Sequence, residues 1–185
     1  CQGIAIRADS DALTPRHHAA IEYLRGEMLS QEGSPDEAIK TWQPVADGLD
    51  RLYHTKAALS LTRVLLQQKK ITPEEAIDRV DSLRFAWRGD GLEVETLRML
   101  GALRAQNNHV LSGLQDMKQA AELSDGLLQD STPIRDEMQR IFAQTLSNGG
   151  VTKLPPLEAA SVYNEFNTLL PEGADGAEIA LDFAE

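Results

Sequence analysis

Three stretches of the chain repeat one spacing of small and apolar residues, and this constrains the fold more than any other feature. Gly26, Ala38, Trp42 and Val45 stand at offsets 0, 12, 16 and 19. Val64, Ala76, Val80 and Leu83 repeat those offsets, as do Gly101, Gly113, Met117 and Ala120. The step from Gly26 to Val64 nearly equals the step from Val64 to Gly101. An even period of this order is the mark of stacked helical hairpins. Two antiparallel helices that cross closely need a small residue on each at the crossing, with larger apolar residues one turn on.

Helix starts recur with the same period. Ser34-Pro35-Asp36-Glu37 and Thr72-Pro73-Glu74-Glu75 are separated by the same step as Gly26 and Val64. Each places a hydroxyl cap, a proline at the first helical position and two carboxylates in the first turn, where the helix dipole favours them. Thr14-Pro15 predicts the first helix, with Ile21, Leu24, Met28 and Leu29 at helical spacing and Gly33 ending it. The second helix runs to about Ala46, and Asp50 caps a long third one reaching Gln68. The helix after Thr72 carries Ala76, Ile77, Val80, Leu83 and Phe85 to about Trp87, where Arg88-Gly89-Asp90-Gly91 breaks it. A third hairpin carries Val94, Leu97, Leu100 and Leu103, turns at Gln106-Asn107-Asn108 and returns from Val110 to Leu123. A divergent fourth follows, from Thr132-Pro133 to Asn148-Gly149-Gly150 and from Pro155-Pro156 to Leu170.

These repeats resemble the tetratricopeptide (TPR) family. Its pattern has a small residue after Leu in the first helix, as in Leu100-Gly101, then Ala followed four residues later by a large residue, as in Ala38 and Trp42. The match is degenerate. Val64 stands where a small residue belongs, Gly113 replaces an Ala, and the Trp that opens the family pattern is replaced by Glu22, Ser60 and Leu97. The resemblance covers about residues 19 to 127. It implies an all-α, right-handed superhelix (an α-solenoid) of antiparallel helical hairpins. The corresponding division is 1–14 as the end of an upstream element, repeats at about 15–49, 50–90 and 91–128, a fourth hairpin at 129–171, and the start of a further helix at 172–185. Asp175 is a cap for that last helix, with Ile179, Leu181 and Phe183 as its apolar residues.

In the TPR family the first helix of each pair lines a concave groove. By resemblance this assigns Ala20, Tyr23, Glu27, Ser30 and Gln31 from the first repeat, and Ala58, Leu61, Leu65, Gln68 and Lys69 from the second. The third gives Glu95, Arg98, Ala102, Ala105 and Gln106. Such a groove would hold an extended or helical peptide through side-chain pockets and hydrogen bonds from Gln, Glu and Arg. A register offset by three residues in the middle repeat would instead make Leu61 and Leu65 core. The implied function is a non-catalytic protein-interaction scaffold without cofactor. The alternative is an architectural spacer or self-association segment that stacks through an apolar end such as Ile179 to Phe183.

Composition narrows the field further. With 29 acidic and 18 basic residues the formal charge is −11, and no Lys/Arg cluster stands out to neutralise phosphates, which argues against nucleic acid and anionic membranes. No apolar run approaches bilayer-spanning length, and the first residues lack the order of a secretory signal. The only cysteine is Cys1, so an internal disulfide and a cysteine-rich metal site are excluded. A leading Cys is also compatible with an acylated lipoprotein terminus. The general cast resembles bacterial envelope-associated TPR proteins, which would imply a periplasmic or envelope location.

Catalytic patterns are missing from the sequence. GxSxG, HExxH and phosphate-cradling glycine loops do not occur, and Asp90-Gly91 is too poor in oxygen ligands for calcium. His17, His18, His54 and His109 form no ligand-spaced pair, and none completes the Glu-xx-His motif of a diiron bundle, the enzyme reading a helical chain would invite. Trp42, Trp87, Tyr53, Tyr163 and Phe166 could be gathered into an aromatic site, but Trp42 sits where a hairpin needs a packing residue. Arg88-Gly89-Asp90 spells the integrin-binding tripeptide inside a predicted turn.

Overall fold

A computed structural model describes residues 14–146, 154–170 and 173. All regular structure among them is helical. The order is α1 (Pro15–Gln31), α2 (Pro35–Ala46), α3 (Arg51–Gln67), α4 (Pro73–Leu83), α5 (Gly91–Gln106), α6 (Val110–Gly126), α7 (Thr132–Leu146) and α8 (Pro156–Phe166), followed by a 3-10 turn at Asn167–Leu169. The sequence-predicted features at Cys1, in the rest of residues 1–13, at Asn148 to Gly150 and at Asp175 to Phe183 lie outside the described residues.

Caps set most of the helix starts. Thr14, Asp50, Thr72 and Asp90 each accept a backbone N–H of the first turn through a side-chain oxygen. Thr72 and Glu75 form a reciprocal capping box, at 3.1 Å and 2.7 Å. Ser34, predicted to cap α2, makes no side-chain capping bond. Gly33, at φ +79°, provides the left-handed residue that ends α1. The predicted extension of α4 to Trp87 does not occur: the helix stops at Leu83, Phe85 is exposed, and Trp87 donates its indole N–H to Asp90 at 2.8 Å. Asp90 is also the cap of α5, so that carboxylate closes one turn and opens the next helix.

The chain forms two compact units, residues 1–71 and 72–185. In the first, α1 and α2 form a hairpin and α3 packs on both. The hairpin closes at Gly26, where an added Cβ would lie 2.3 Å from Trp42 Nε1. The indole fills that space and donates to the Tyr23 carbonyl oxygen at 3.1 Å. Around it Ala38, Val45, Ala46, Ala57, Leu61 and Val64 form the core.

In the second unit α5 and α6 form the corresponding hairpin. Gly101 and Gly113 bring the two backbones together: a Cβ on Gly101 would lie 2.6 Å from the Gly113 carbonyl oxygen, and one on Gly113 would lie 2.7 Å from the Ala105 nitrogen. Helix α4 packs on α5, and α7 and α8 both pack on α6. The core runs from Val94 and Leu97 through Leu114, Met117, Met138 and Phe142 to Val162 and Phe166. The helices expected to pair as the middle repeat, α3 and α4, belong to different units. The expected fourth hairpin is two helices that share α6 as their support.

Candidate functional site

The residues expected to line one groove divide between the two units, those of α1 and α3 in the first and those of α5 in the second. In the first unit several serve to hold helices together. The half-buried Tyr23 ring packs 6.0 Å from the Tyr53 ring, and the Lys56 ammonium stands 5.8 Å from both centroids, the range of cation–π attraction. Glu27 accepts a hydrogen bond from Ser60 Oγ at 2.6 Å, tying α1 to α3. Leu61 is 2% exposed and belongs to the core, and Leu65 is half-buried against it, which is the offset register of the middle repeat. Leu61 is thus withdrawn from any partner surface. Gln31, Gln68 and Lys69 are exposed around the helix ends, and Lys69 adopts φ +55° where α3 terminates.

In the second unit Glu95, Arg98 and Gln106 are exposed. Arg98 Nε pairs with Glu137 on α7 at 2.8 Å. The small residues Ala20, Ser30, Ala58, Ala102 and Ala105 are all half-buried.

The surface that α1 presents is different and apolar. Ile21, Leu24 and Met28, which recur at helical spacing in the sequence, are 47%, 58% and 61% exposed. The contacts of α1 explain why. Gly26 faces α2, and Tyr23 and Glu27 face α3, so the core side of the helix is already taken. Residues two positions from Gly26 are rotated by about 200° and point the opposite way. That signal was present in the sequence: once Gly26 is the crossing point, Leu24 and Met28 cannot also face α2. When Gly26 is laid on Gly101, the corresponding positions of α5 are Thr96, Met99 and Leu103, which are buried or half-buried. The exposed stripe is therefore a property of the first hairpin.

The candidate chemistry does not converge. His17, His18 and His109 are exposed, while His54 Nδ1 is hydrogen-bonded to the Ala46 carbonyl oxygen. No group of three His, Cys, Asp or Glu side chains that could hold a metal ion occurs among the described residues. The aromatic residues disperse: Trp42 is core of the first unit, and Phe166, with Tyr163 against it, belongs to the core of the second. Arg88-Gly89-Asp90 is used internally, with Arg88 on Glu93 at 2.6 Å, the Gly89 N–H on the same carboxylate at 2.6 Å, and Asp90 capping α5.

Of the two buried carboxylates among the described residues, Glu93 and Asp116, the second sits in a wider network. Asp116 of α6, 3% exposed, accepts from Arg84 at 3.0 Å and from Arg104 at 2.6 Å, and Arg104 reaches Asp81 of α4 at 2.9 Å. Two carboxylates and two guanidinium groups, drawn from α5, α6 and the end of α4, thus satisfy one another. This is the arrangement in which a buried ion is tolerated. No helix among the described residues is long and apolar enough to cross a membrane. No protein-family model matches the chain, and no curated protein and no solved structure matches it.

Proposed function

We propose that the chain is a non-catalytic protein-interaction scaffold built from TPR-like hairpins, and that it takes its partner on the outward face of α1. The carrying observation is the stripe of Ile21, Leu24 and Met28, three large apolar side chains at i, i+3 and i+7 with about half or more of their surface in water. Scattered exposed apolar residues need no explanation, but a contiguous row along two turns is the form in which a helix presents itself to another protein. The TPR-like reading is supported by two hairpins, α1–α2 and α5–α6, that both close at a glycine in the first helix. A scaffold of this kind offers its surface already ordered, so binding carries little conformational cost on its side.

Comparative capture tests this reading. The wild-type chain and a Leu24→Ser/Met28→Ser variant are used as baits in extracts of the native source. Because both positions are exposed, thermal melts of the two should coincide within about 2 °C. The expected result is a partner retained by the wild type and lost from the variant. Identical retained proteins on both baits would overturn the assignment of the face.

A further inference from the structure

A trench of about 570 Å³ runs along the first hairpin, and none of Ile21, Leu24 and Met28 lines it. Ala19, Pro44 and Val45 give it an apolar part, while Glu22 and Asp50 stand with Arg25 and Lys40. Carboxylates and cations are balanced, so charge alone selects neither an acidic nor a basic occupant. The second hairpin is more informative. The register that lays Gly26 on Gly101 lays His18, Glu22 and Arg25 of the trench on Glu93, Leu97 and Leu100, all buried. It lays Thr41 and Pro44 on Asp116 and Gln119, and Arg84, the residue that follows α4, bonds both of those at 3.0 Å. On α5, Arg104 holds Asp81 of α4 at 2.9 Å. In the second hairpin this side is therefore the seat of the stretch of chain that precedes the hairpin.

We propose that the trench of the first hairpin is occupied by residues 1–13 of this same chain. They lie outside the described residues, and they join α1 at Thr14, next to Pro15 in the trench wall. At up to about 3.3 Å per residue they reach well past the roughly 15 Å of helix from Pro15 to Arg25. Their chemistry follows that of α4 position by position. The same register sets Cys1, Ala5 and Ala8 on Ala76, Val80 and Leu83, the buried residues of α4, so the apolar spacing is kept. It sets Ile6 and the half-buried Leu29 on Asp81 and Arg104, so an ion pair of the second hairpin becomes an apolar pair in the first. It sets Asp9 on Arg84, and Thr41, flanked by Lys40, on Asp116. There the sign is inverted on both sides, with the carboxylate on the preceding segment and the cation in the trench. Joint changes at both ends of a contact are what one chain shows where two of its own surfaces meet.

The test is paramagnetic relaxation of backbone amides in the full 185-residue chain, with Cys1→Ser and a nitroxide on Arg7→Cys. Position 7 falls on Ser82, which is exposed on α4, so the label does not fill the trench itself. The Thr41 amide is expected to relax faster when the label is active than when it is reduced. Asp9→Lys and Lys40→Glu should each lower that enhancement by about twofold or more, and the two together should restore it. Ile6→Asp, which sets an unpaired carboxylate against Leu29, should lower it as well. The Leu24→Ser/Met28→Ser chain should keep the enhancement of the parent, which separates this contact from binding at the stripe. An enhancement that is absent, that is the same in every variant, or that the double charge swap does not restore would overturn the proposal. Broadening of Thr41 in isotope-labelled chains without nitroxide, mixed with unlabelled chains that carry it, would assign the trench to a second copy and equally overturn it.

Discussion

Gly101 and Gly126 lie on the same hairpin and respond in opposite ways to one methyl group. A Cβ on Gly101 would meet Met117 Cγ at 2.5 Å and the Gly113 carbonyl oxygen at 2.6 Å, and backbone cannot step aside as a side-chain tip can. Alanine gains about 1 kcal/mol of helix propensity over glycine, but overpacking a closed crossing costs about 1–3 kcal/mol, so Gly101→Ala should lower the urea midpoint. Gly126→Ala, with nothing within 4 Å of the new Cβ, should leave it unchanged or raise it. A raised midpoint for Gly101→Ala would contradict the close crossing. The small residues at these crossings were legible in the sequence because the geometric requirement acts at single positions. The fate of Ile21, Leu24 and Met28 was harder to read, since α1 carries apolar residues on more than one face and periodicity alone does not say which face is covered.

At the scale of elements, the helices are held by caps and by ion pairs of very different visibility in the sequence. The Thr72 capping box could be read directly, because cap and partner are close neighbours in the chain. Thr72→Ala is expected to cost about 1 kcal/mol, seen as faster amide exchange in the first turn of α4. The Asp116 network was illegible, since Arg104 is separated from Asp116 and Asp81, and Arg84 from Asp116, by long stretches of chain that only the folded helices bring together. Asp116→Ala would leave two guanidinium groups facing a gap and should cost about 3–5 kcal/mol, more than Arg84→Ala, which leaves Arg104 on the carboxylate. At the corner between α6 and α7, the hydroxyl of Ser131 and then the guanidinium of Arg135 hold Asp125 below the usual carboxylate range. A depressed folded value means that the stabilisation is present above the ordinary Asp range and is lost as pH falls through the folded value. The stability gap between wild type and Asp125→Asn should therefore be constant near neutral pH and close under acid, when followed by urea unfolding across a pH series. A gap that widens with acid would contradict the assignment.

For the molecule as a whole, the all-helical class and the positions of most helices followed from caps, prolines and apolar spacing, whereas the grouping of helices did not. Local pattern identifies a helix but not its neighbour, and an even period alone does not say which helices share a core; α3 lies in the first unit and α4 in the second. Two separate cores carry an energetic consequence. Phe142→Ala removes a fully buried ring from the second core, at about 3–5 kcal/mol. Hydrogen exchange should then accelerate in α5 to α8 while the slowest amides of α1 to α3 keep their protection. Equal loss in both sets would show one cooperative core. The proposed role in binding rests on the outward face of α1, and site-specific photocrosslinking in the native cell tests it most directly. A benzophenone side chain is placed at position 24 or 28, with position 128, also an exposed leucine, as the control. One discrete protein adduct at 24 and 28 and none at 128 is the expected result, and adducts that are absent at 24 and 28, or the same at all three, would contradict it.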